Sequence, residues 1–272
     1  MQIVFFGTPA FAVTVLERLA AEQELSCVVS KPGSPCATYA LAHGIDCCAD
    51  PEQAPAADVY VTCAYGRILS EEVLGRARLA PLNLHFSLLP KWRGAAPVAR
   101  AILAGEQLTG VSIMRMVKAL DAGPVCAQAP FPVGELGLDE LTVDLAGSGA
   151  ALLSEVLPRL SAGELQWREQ DEAAVTYAAK IKKAETLLSP QASVRDNRLR
   201  VQASNKSAPA RCRIAGKVVR ILQADSQSSP LSLPCADGEL AVQRLQPEGK
   251  RAQSAQDFLN GLHCSTIDWS EI

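Results

Sequence analysis

The sequence predicts an α/β fold, in which an open, mostly parallel sheet is followed by a small β-barrel domain. Three observations lead to this prediction. Short apolar runs rich in β-forming residues alternate with helical segments over the first half of the chain. From about residue 176 the helical periodicity fades and hairpin signals begin. The net charge of the chain also changes sign near that point.

The first half begins with a strand, a turn and a helix. Gln2–Gly7 is a short apolar run, Thr8 is a candidate helix cap, and Pro9 suits the first helical position. The same reasoning predicts further strands at Ser26–Ser30, Asp58–Ala64, Pro81–Phe86, Gly110–Met116 and, at a proline-rich edge, Pro124–Val133. Helices are predicted over Tyr39–His43, after the cap Ser70, over Ala95–Leu103 and over Asp139–Leu160.

The second half of the chain is predicted to consist mainly of β-hairpins. Arg213–Leu222 contains two β runs around Ala215-Gly216, and Leu231–Leu245 is interrupted by Asp237-Gly238, a strong hairpin signal. A last helix is predicted over Ser254–Leu262, with Ser254 as its cap. Consecutive hairpins with so little helix favour a small barrel.

Composition excludes several classes of protein. With 272 residues, 48% hydrophobic and 20% charged, the chain can bury a core and is not a disordered protein. It has no apolar stretch of the length of a transmembrane helix, and no Lys or Arg precedes the apolar Ile3–Leu16 segment as in a signal peptide. Nine cysteines without CxxC spacing predict reduced, buried thiols and a cytoplasmic protein; a redox-active Cys47-Cys48 pair is the alternative.

Charge is segregated along the chain. Residues 1–179 carry a net charge of -8, residues 180–220 carry +9, and residues 221–272 carry -4. A basic block of this kind inside an acidic protein is typical of contact with a phosphate backbone. A merely solvated basic face is the alternative.

The chemistry-bearing residues are few. Of three histidines, His85 follows Asn83 by two positions on a predicted strand, so the two side chains share one face. An amide and an imidazole so placed can stabilise an oxyanion and transfer a proton, although a structural hydrogen-bonded pair is equally consistent with the spacing. Asp121 follows the next strand and could orient the imidazole, or could simply be a turn residue before Gly123.

Other chemistries lack their motifs. The Gly7-Thr8-Pro9 turn does not match the dinucleotide-binding pattern. No cluster of His, Cys, Asp and Glu has metal-ligand spacing, so no metal is expected. GxSxG and P-loop sequences are also absent.

Several segments in order carry a family resemblance. They include Asn83-Leu-His85-Phe-Ser87-Leu-Leu-Pro90-Lys-Trp-Arg-Gly94, Leu120-Asp121-Ala-Gly123, the opening Phe5–Ala12, and Ala64–Leu69. Gly110–Met114, Val175–Ala178, Leu245–Lys250 and Ser254–Asp257 continue the match over nearly the whole chain. The sequence resembles the folate-dependent formyltransferases, and among them those that act on methionyl-tRNA.

This resemblance implies a Rossmann-like catalytic domain at 1–178, a linker at 179–187 and an OB-like, tRNA-binding barrel at 188–272. It implies 10-formyltetrahydrofolate as donor and initiator methionyl-tRNA as acceptor, in a monomer without a membrane. The implied catalytic residues are Asn83, His85 and Asp121, with the folate lined by Ser87, Leu88, Leu89 and Pro90. Phe11 is expected to contact the methionine side chain, and Arg211, Arg213 and Lys217 the tRNA.

The chain departs from the family pattern in places. Lys31-Pro-Gly-Ser-Pro35 runs almost directly into Cys36–His43, so a basic loop that follows the second strand in the family is largely missing. The family's Asn-Pro-Trp-Pro signature is reduced to Asn205-Lys-Ser-Ala-Pro209, and Phe86 replaces a smaller residue. Two rival functions remain: a sugar-nucleotide N-formyltransferase and an RNA-binding relative without catalysis.

Overall fold

The computed structural model describes residues 1–225, 228–262 and 267–272. They form two compact units. The first comprises Met1–Pro97, Gln107–Pro132 and Leu141–Ala179; the second comprises Val98–Glu106, Val133–Glu140 and Lys180–Ile272. His263 and Cys264, which belong to the histidines and cysteines counted above, lie outside the described residues.

A seven-stranded sheet forms the centre of the first unit. Its strands are β1 (Gln2–Gly7), β2 (Glu24–Val29), β3 (Cys47–Cys48), β4 (Ala57–Cys63), β5 (Ala77–His85), β6 (Leu108–Arg115) and β7 (Val125–Pro132). Their order is β3-β2-β1-β4-β5-β6-β7, in which the first five strands run parallel and β6 and β7 each pair antiparallel with the preceding strand. The prediction of a mostly parallel sheet with Pro124–Val133 at an edge is therefore confirmed.

The central strands are apolar on both faces. Ile3–Phe6 of β1 and Val59–Val61 of β4 have no exposed surface. Parallel strands that are covered on both faces have continuous apolar sequences, without the alternation of apolar and polar residues seen in half-exposed strands. For this reason these segments were recognisable as strands in the sequence.

Five helices accompany this sheet in the chain. They are α1 (Ala10–Glu22), α2 (Pro35–Ala42), α3 (Glu71–Leu74), α4 (Pro97–Leu103) and α5 (Leu138–Ser161). Ser70 caps α3 as predicted, because its hydroxyl accepts from the Val73 amide. The prediction that Thr8 caps α1 is wrong: the cap is Pro9, and the Thr8 hydroxyl donates to the Tyr65 carbonyl at 3.4 Å.

The second unit holds an antiparallel, barrel-like sheet. Its elements are α6 (Val194–Gln202), β8 (Arg211–Ile214), β9 (Lys217–Asp225), β10 (Leu231–Cys235), β11 (Gly238–Pro247), β12 (Gln253–Ser254), α7 (Ala255–Asn260) and β13 (Trp269–Ser270). The strand order is β10-β11-β9-β8-β13, with β12 paired to β11. The predicted hairpins around Ala215-Gly216 and Asp237-Gly238 are both present, and Ser254 caps α7 as expected.

Helix α6 is an element that the sequence patterns did not predict. Its nine residues include three arginines and an aspartate, and only Asn197 and Val201 are buried. The Asn197 side chain accepts from the Ser189 amide at 3.1 Å and donates to the Ser189 carbonyl at 2.8 Å. The helix is thus held by a buried polar anchor together with Val194 and Val201, which pack in the core of this unit. Two valines seven positions apart are too few to show a helical period in the sequence.

The start of α6 gives a stability prediction. The Ser193 hydroxyl accepts from the Asp196 amide at 2.9 Å, so Ser193→Ala leaves that amide without its cap. We expect a loss of about 1 kcal/mol in the free energy of unfolding, measured by urea denaturation. Ser193→Asp restores a capping oxygen and should retain most of the stability. Equal midpoints for Ser193→Ala and the parent would refute the role of this cap.

The described cysteines carry free thiols. Cys27, Cys36, Cys63 and Cys212 are buried, whereas the other described thiols are half-buried. The Sγ atoms of Cys27 and Cys48 lie 3.8 Å apart. The prediction of reduced, buried thiols is therefore met by these four residues. Among the described helices, none combines the length and hydropathy needed to span a membrane.

Candidate active site

Strand β5 and the loop after β6 bring the three predicted catalytic residues together. Asn83 and His85 occupy alternate positions near the end of β5, and Asp121 reaches them from the loop. The Asn83 Nδ2 atom donates to Asp121 Oδ1 at 3.4 Å, and His85 Nδ1 lies 3.6 Å from Asp121 Oδ2. The imidazole is 5% exposed. A carboxylate, an amide and an imidazole thus form one contiguous cluster.

The protonation of the imidazole follows from its second contact. His85 Nε2 lies 2.9 Å from the carbonyl oxygen of Trp92, and a carbonyl oxygen can only accept a hydrogen bond. Nε2 therefore carries a proton and Nδ1 faces the carboxylate. A donor at Nε2 is available to a substrate oxygen only after that oxygen replaces the Trp92 carbonyl.

The loops around the cluster adopt unusual backbone conformations. Trp92 and Asp121 have φ values of 64° and 50°, which non-glycine residues rarely adopt. The Gly94 amide donates to Asp121 Oδ2 at 2.9 Å, and this glycine has a φ of 126°. A Cβ at Gly94 would lie 2.8 Å from the Ala178 carbonyl oxygen, so only glycine fits. Strain of this kind is typical of functional sites.

Hydrogen bonds within the first unit hold the predicted folate loop, Ser87–Pro90, in place. The Ser87 hydroxyl donates to the Lys91 carbonyl at 2.6 Å, and the Ser112 hydroxyl donates to the Ser87 carbonyl at 2.7 Å. Gln128 Nε2 donates to the Leu89 carbonyl at 2.9 Å. Ser87 and Leu89 are buried, whereas Leu88 and Pro90 are half-buried. The last two therefore offer more side-chain surface to a ligand.

Phe11 lies beside the end of β5. It is half-buried in the first turn of α1, and its ring centroid is 5.6 Å from that of Phe86, the residue after His85. The structure thus places Phe11 beside Phe86, next to the cluster of Asn83, His85 and Asp121. Its contact with a methionine side chain stays a prediction.

Sequence reasoning assigned no role to two exposed apolar side chains near these loops. Ile68, in the loop after β4, is 89% exposed, and Leu120, beside Asp121, is 68% exposed. Strands β4 and β5 are parallel neighbours, so the loops that follow them meet at one edge of the sheet. The only signals in the sequence were the family matches at Ala64–Leu69 and Leu120–Gly123, since periodicity says nothing about exposure in loops.

The predicted tRNA contacts lie on the hairpin β8–β9 of the second unit. Arg213 and Lys217 are exposed, and Arg211 is half-buried directly opposite Arg220. The Nε atoms of Arg211 and Arg220 are buried without a hydrogen-bond partner among the described residues. Like charges facing each other across two strands favour an anion between them. Sequence reasoning missed Arg220, although the register of a hairpin that turns at Ala215-Gly216 places it opposite Arg211.

Comparison with known proteins decides the family. The sequence profile described as formyl transferase matches residues 46–157, and that of the formyl transferase C-terminal domain matches residues 180–263. A methionyl-tRNA formyltransferase of Methylococcus capsulatus is 39% identical, over 96% of this chain and 96% of its own length. The chain belongs to the methionyl-tRNA formyltransferase family. A methionyl-tRNA formyltransferase of Rhizorhabdus wittichii is 40% identical over the same shares of the two chains.

Solved structures agree on the formyltransferase fold. HypX from Aquifex aeolicus, solved with tetrahydrofolic acid, superposes with a TM-score of 0.72 at 18% identity, covering 99% of this chain and 50% of its own. WlaRD, a sugar 3N-formyl transferase, superposes with a TM-score of 0.69 at 17% identity, covering 92% of this chain and 99% of its own. At these identities the likeness concerns the fold alone.

The chain is a shortened methionyl-tRNA formyltransferase family member. Its alignment with the Methylococcus relative extends over 300 positions, more than the 272 residues of this chain, so the gaps fall on its own side. In the structure, Ser34 caps α2 only a few residues after β2 ends at Val29. The connection between β2 and α2 is therefore short. Within the described residues, no group of three metal-ligating side chains occurs.

Proposed function

We propose that this protein transfers the formyl group of 10-formyltetrahydrofolate to the α-amino group of methionine carried by initiator tRNA. The observation that carries the proposal is the cluster of Asn83, His85 and Asp121 in a member of this family. In the reaction, a bond forms between the amine nitrogen and the formyl carbon. The bond from that carbon to the donor nitrogen breaks, and the proton lost by the amine ends on tetrahydrofolate.

The chain's own residues supply the hydrogen bonds and proton transfers. An α-amino group has a pKa of about 7.7–8.0, so a useful fraction is neutral near pH 7. Negative charge grows on the formyl oxygen during attack. Asn83 has two amide hydrogens and uses one on Asp121, which leaves the second for that oxygen. A protonated His85 donates a further hydrogen bond from Nε2 once the Trp92 carbonyl is displaced, and Asp121, beside Nδ1, stabilises its positive charge. Asp121 also accepts or relays the proton lost by the amine, which then passes to the donor nitrogen.

The donor fits the loops at this edge. Tetrahydrofolate carries a pterin ring with polar edges and an aromatic benzoyl ring, and the exposed Ile68 with the half-buried Leu88 and Pro90 offers apolar surface to the ring faces. Ser87 and Leu89 contribute through the loop backbone, which the Ser87 hydroxyl and the Gln128 side-chain amide hold in place. When bound, the donor supplies an activated formyl group. Phe11 and Phe86 are the proposed aromatic contacts of the methionine side chain.

The catalytic domain at 1–178, the linker at 179–187 and the barrel at 188–272 are proposed as the working parts. The second compact unit also includes Val98–Glu106 and Val133–Glu140, so its bounds differ from those of the proposed barrel domain. Function as a monomer in the cytoplasm stays a prediction.

One comparative assay tests the proposed function. Initiator methionyl-tRNA and an amino-sugar nucleotide are offered separately, each with 10-formyltetrahydrofolate, and formylated product is measured by mass spectrometry. We expect product from the tRNA alone. Product from the sugar nucleotide alone would identify a sugar formyltransferase, and tRNA binding without any product would identify a non-catalytic RNA-binding protein.

The hairpin β8–β9 gives a prediction about tRNA binding. Because little basic surface remains near Lys31, we expect Arg211, Arg213 and Lys217, together with Arg220, to carry most phosphate contacts. Replacing the first three by glutamine should weaken binding and lower the slope of log K against log salt by about 0.7–0.9 per contact removed. Formylation at saturating tRNA should survive.

The matched control removes the same charge elsewhere. Arg18, Arg76 and Arg78 each pair with a carboxylate in the first unit. Their replacement by glutamine should leave the salt slope unchanged. Unaltered binding of the Arg211, Arg213 and Lys217 triple variant at two salt concentrations would contradict the assignment, and equal losses in both triple variants would indicate a net-charge effect.

A further inference from the structure

Gln170 links the two loops that carry the candidate active site. Its Nε2 atom donates to the Asp121 carbonyl at 2.8 Å and to the Gly123 carbonyl at 2.7 Å. Its Oε1 atom accepts from Arg93 Nε at 3.0 Å. Gln170 therefore joins the loop that carries Asp121 to the loop that carries the Trp92 carbonyl and the Gly94 amide.

The orientation of this amide is determined by its neighbours. Two carbonyl oxygens face one end and need donors, while a guanidinium N–H faces the other end and needs an acceptor. Only one placement of the amide group satisfies all three contacts. Gln170 is half-buried, so these contacts are partly shielded from water.

The arginine at the far end is itself anchored. Arg93 is 4% exposed, and its guanidinium forms an ion pair with Glu172 at 2.8 Å. A buried guanidinium with satisfied hydrogen bonds is a rigid support. Gln170 is thus hydrogen-bonded at one end to the anchored Arg93 guanidinium and at the other end to the backbone of the Asp121 loop.

The Asp121 loop needs such support because of its backbone. A φ of 50° at a non-glycine residue is strained and persists only where its surroundings impose it. The same loop must keep the carboxylate 3.6 Å from His85 and within 3.4 Å of Asn83. Two hydrogen bonds to its backbone from one amide hold that conformation.

We propose that Gln170 is a positioning residue for formyl transfer, which acts by holding the Asp121 loop against His85. This inference rests on the proposed function. Gln170 touches neither His85 nor Asn83 and acts through the Asp121 backbone. Its loss should therefore slow the chemical step while leaving the binding of both substrates intact.

The test compares Gln170→Met and Gln170→Glu with the parent enzyme. Methionine keeps the length of the side chain but removes every hydrogen bond; glutamate keeps an oxygen for Arg93 but cannot donate to the two carbonyls. Gln166→Met and Gln166→Glu are matched controls, because Gln166 lies on the same segment and is exposed. Steady-state kinetics give kcat and KM for each substrate, and the melting temperature checks the fold.

We expect both Gln170 variants to lower kcat by about tenfold to 10²-fold, with KM changed less than about twofold and the Gln166 variants like the parent. The ¹⁵N resonances of the His85 ring, recorded without substrate, should shift in the Gln170 variants alone. In an Asp121→Asn background, followed by single-turnover formylation, the Gln170 effect should largely vanish, since both changes act on one contact.

Three results would overturn the role: an unchanged kcat in a folded Gln170 variant, an unshifted His85 resonance, or full additivity with Asp121→Asn. If the parent enzyme itself does not formylate methionyl-tRNA, the proposed function fails. The His85 resonances then still decide whether Gln170 positions the cluster, since they require no substrate.

Discussion

We expect His85→Ala to abolish formyl transfer in a protein that still folds. The imidazole is the proposed donor to the formyl oxygen, and it is paired with Asp121, the proposed relay for the amine proton. Hydrogen bonding and proton transfer in the transition state together supply roughly 10²–10⁴-fold or more in rate. Formylation of methionyl-tRNA under single-turnover conditions measures the loss. Near-normal activity in a folded variant would refute the assignment.

The fold of this variant needs its own measurement. His85 is 5% exposed and its Nε2 proton satisfies the Trp92 carbonyl, so alanine leaves a small cavity and an unpaired acceptor. We expect a stability loss of about 1–3 kcal/mol from the lost hydrogen bond. His85→Gln retains a donor of similar reach and should recover stability without recovering catalysis. Circular dichroism and urea denaturation separate the two effects.

Asp121→Asn should reduce kcat by roughly 10²–10⁴-fold with little change in tRNA affinity. Asparagine keeps the shape but removes the charge that stabilises an imidazolium at His85. It also has one acceptor where the carboxylate has two, and the structure uses both, for the Gly94 amide and for Asn83. An amide oxygen turned to Gly94 presents donors to the Asn83 amide, so the cluster is disturbed as well as neutralised.

Kinetics and binding must be measured together for this variant. Filter binding at fixed salt gives the affinity for methionyl-tRNA, and single-turnover formylation gives the chemical step. A variant that loses tRNA affinity but formylates normally at saturation would make Asp121 a substrate-positioning residue and the proton relay wrong. Asp171→Asn is the matched control, because that carboxylate caps a short helical turn on the surface.

Much of the fold could be predicted because its signals are local. The hairpins at Ala215-Gly216 and Asp237-Gly238 depend on turn residues that are adjacent in the chain, and the strands of the first unit on unbroken apolar runs. Helix α6 was not predicted because a buried asparagine and only two core-facing valines anchor it, which leaves no clear apolar period in the sequence. The error at Thr8 arose because its hydroxyl bonds a residue of a distant loop.

Some residues of the candidate site could likewise be predicted from the local sequence, and others could not. Strand alternation alone placed Asn83 and His85 on one face. The position of Asp121 left two roles open, an orienting carboxylate or a turn residue, and the family resemblance favoured the first. The contacts that hold this cluster join residues far apart in sequence, such as Gln170 to Asp121 and the Ser112 hydroxyl to Ser87. No periodicity or turn rule links such positions. The supporting contacts of a site therefore become visible only in the folded structure.

The buried thiols make the protein sensitive to alkali. Burial raises the pKa of Cys27, Cys36 and Cys212 from an ordinary 9.0 to about 12, and that of Cys126 to about 11. Above pH 9 the unfolded chain releases these protons while the folded chain keeps them, so the free energy of unfolding falls as pH rises toward 12. At neutral pH the same burial keeps the thiols protonated and poorly reactive with alkylating reagents. Their modification therefore reports on opening of the fold.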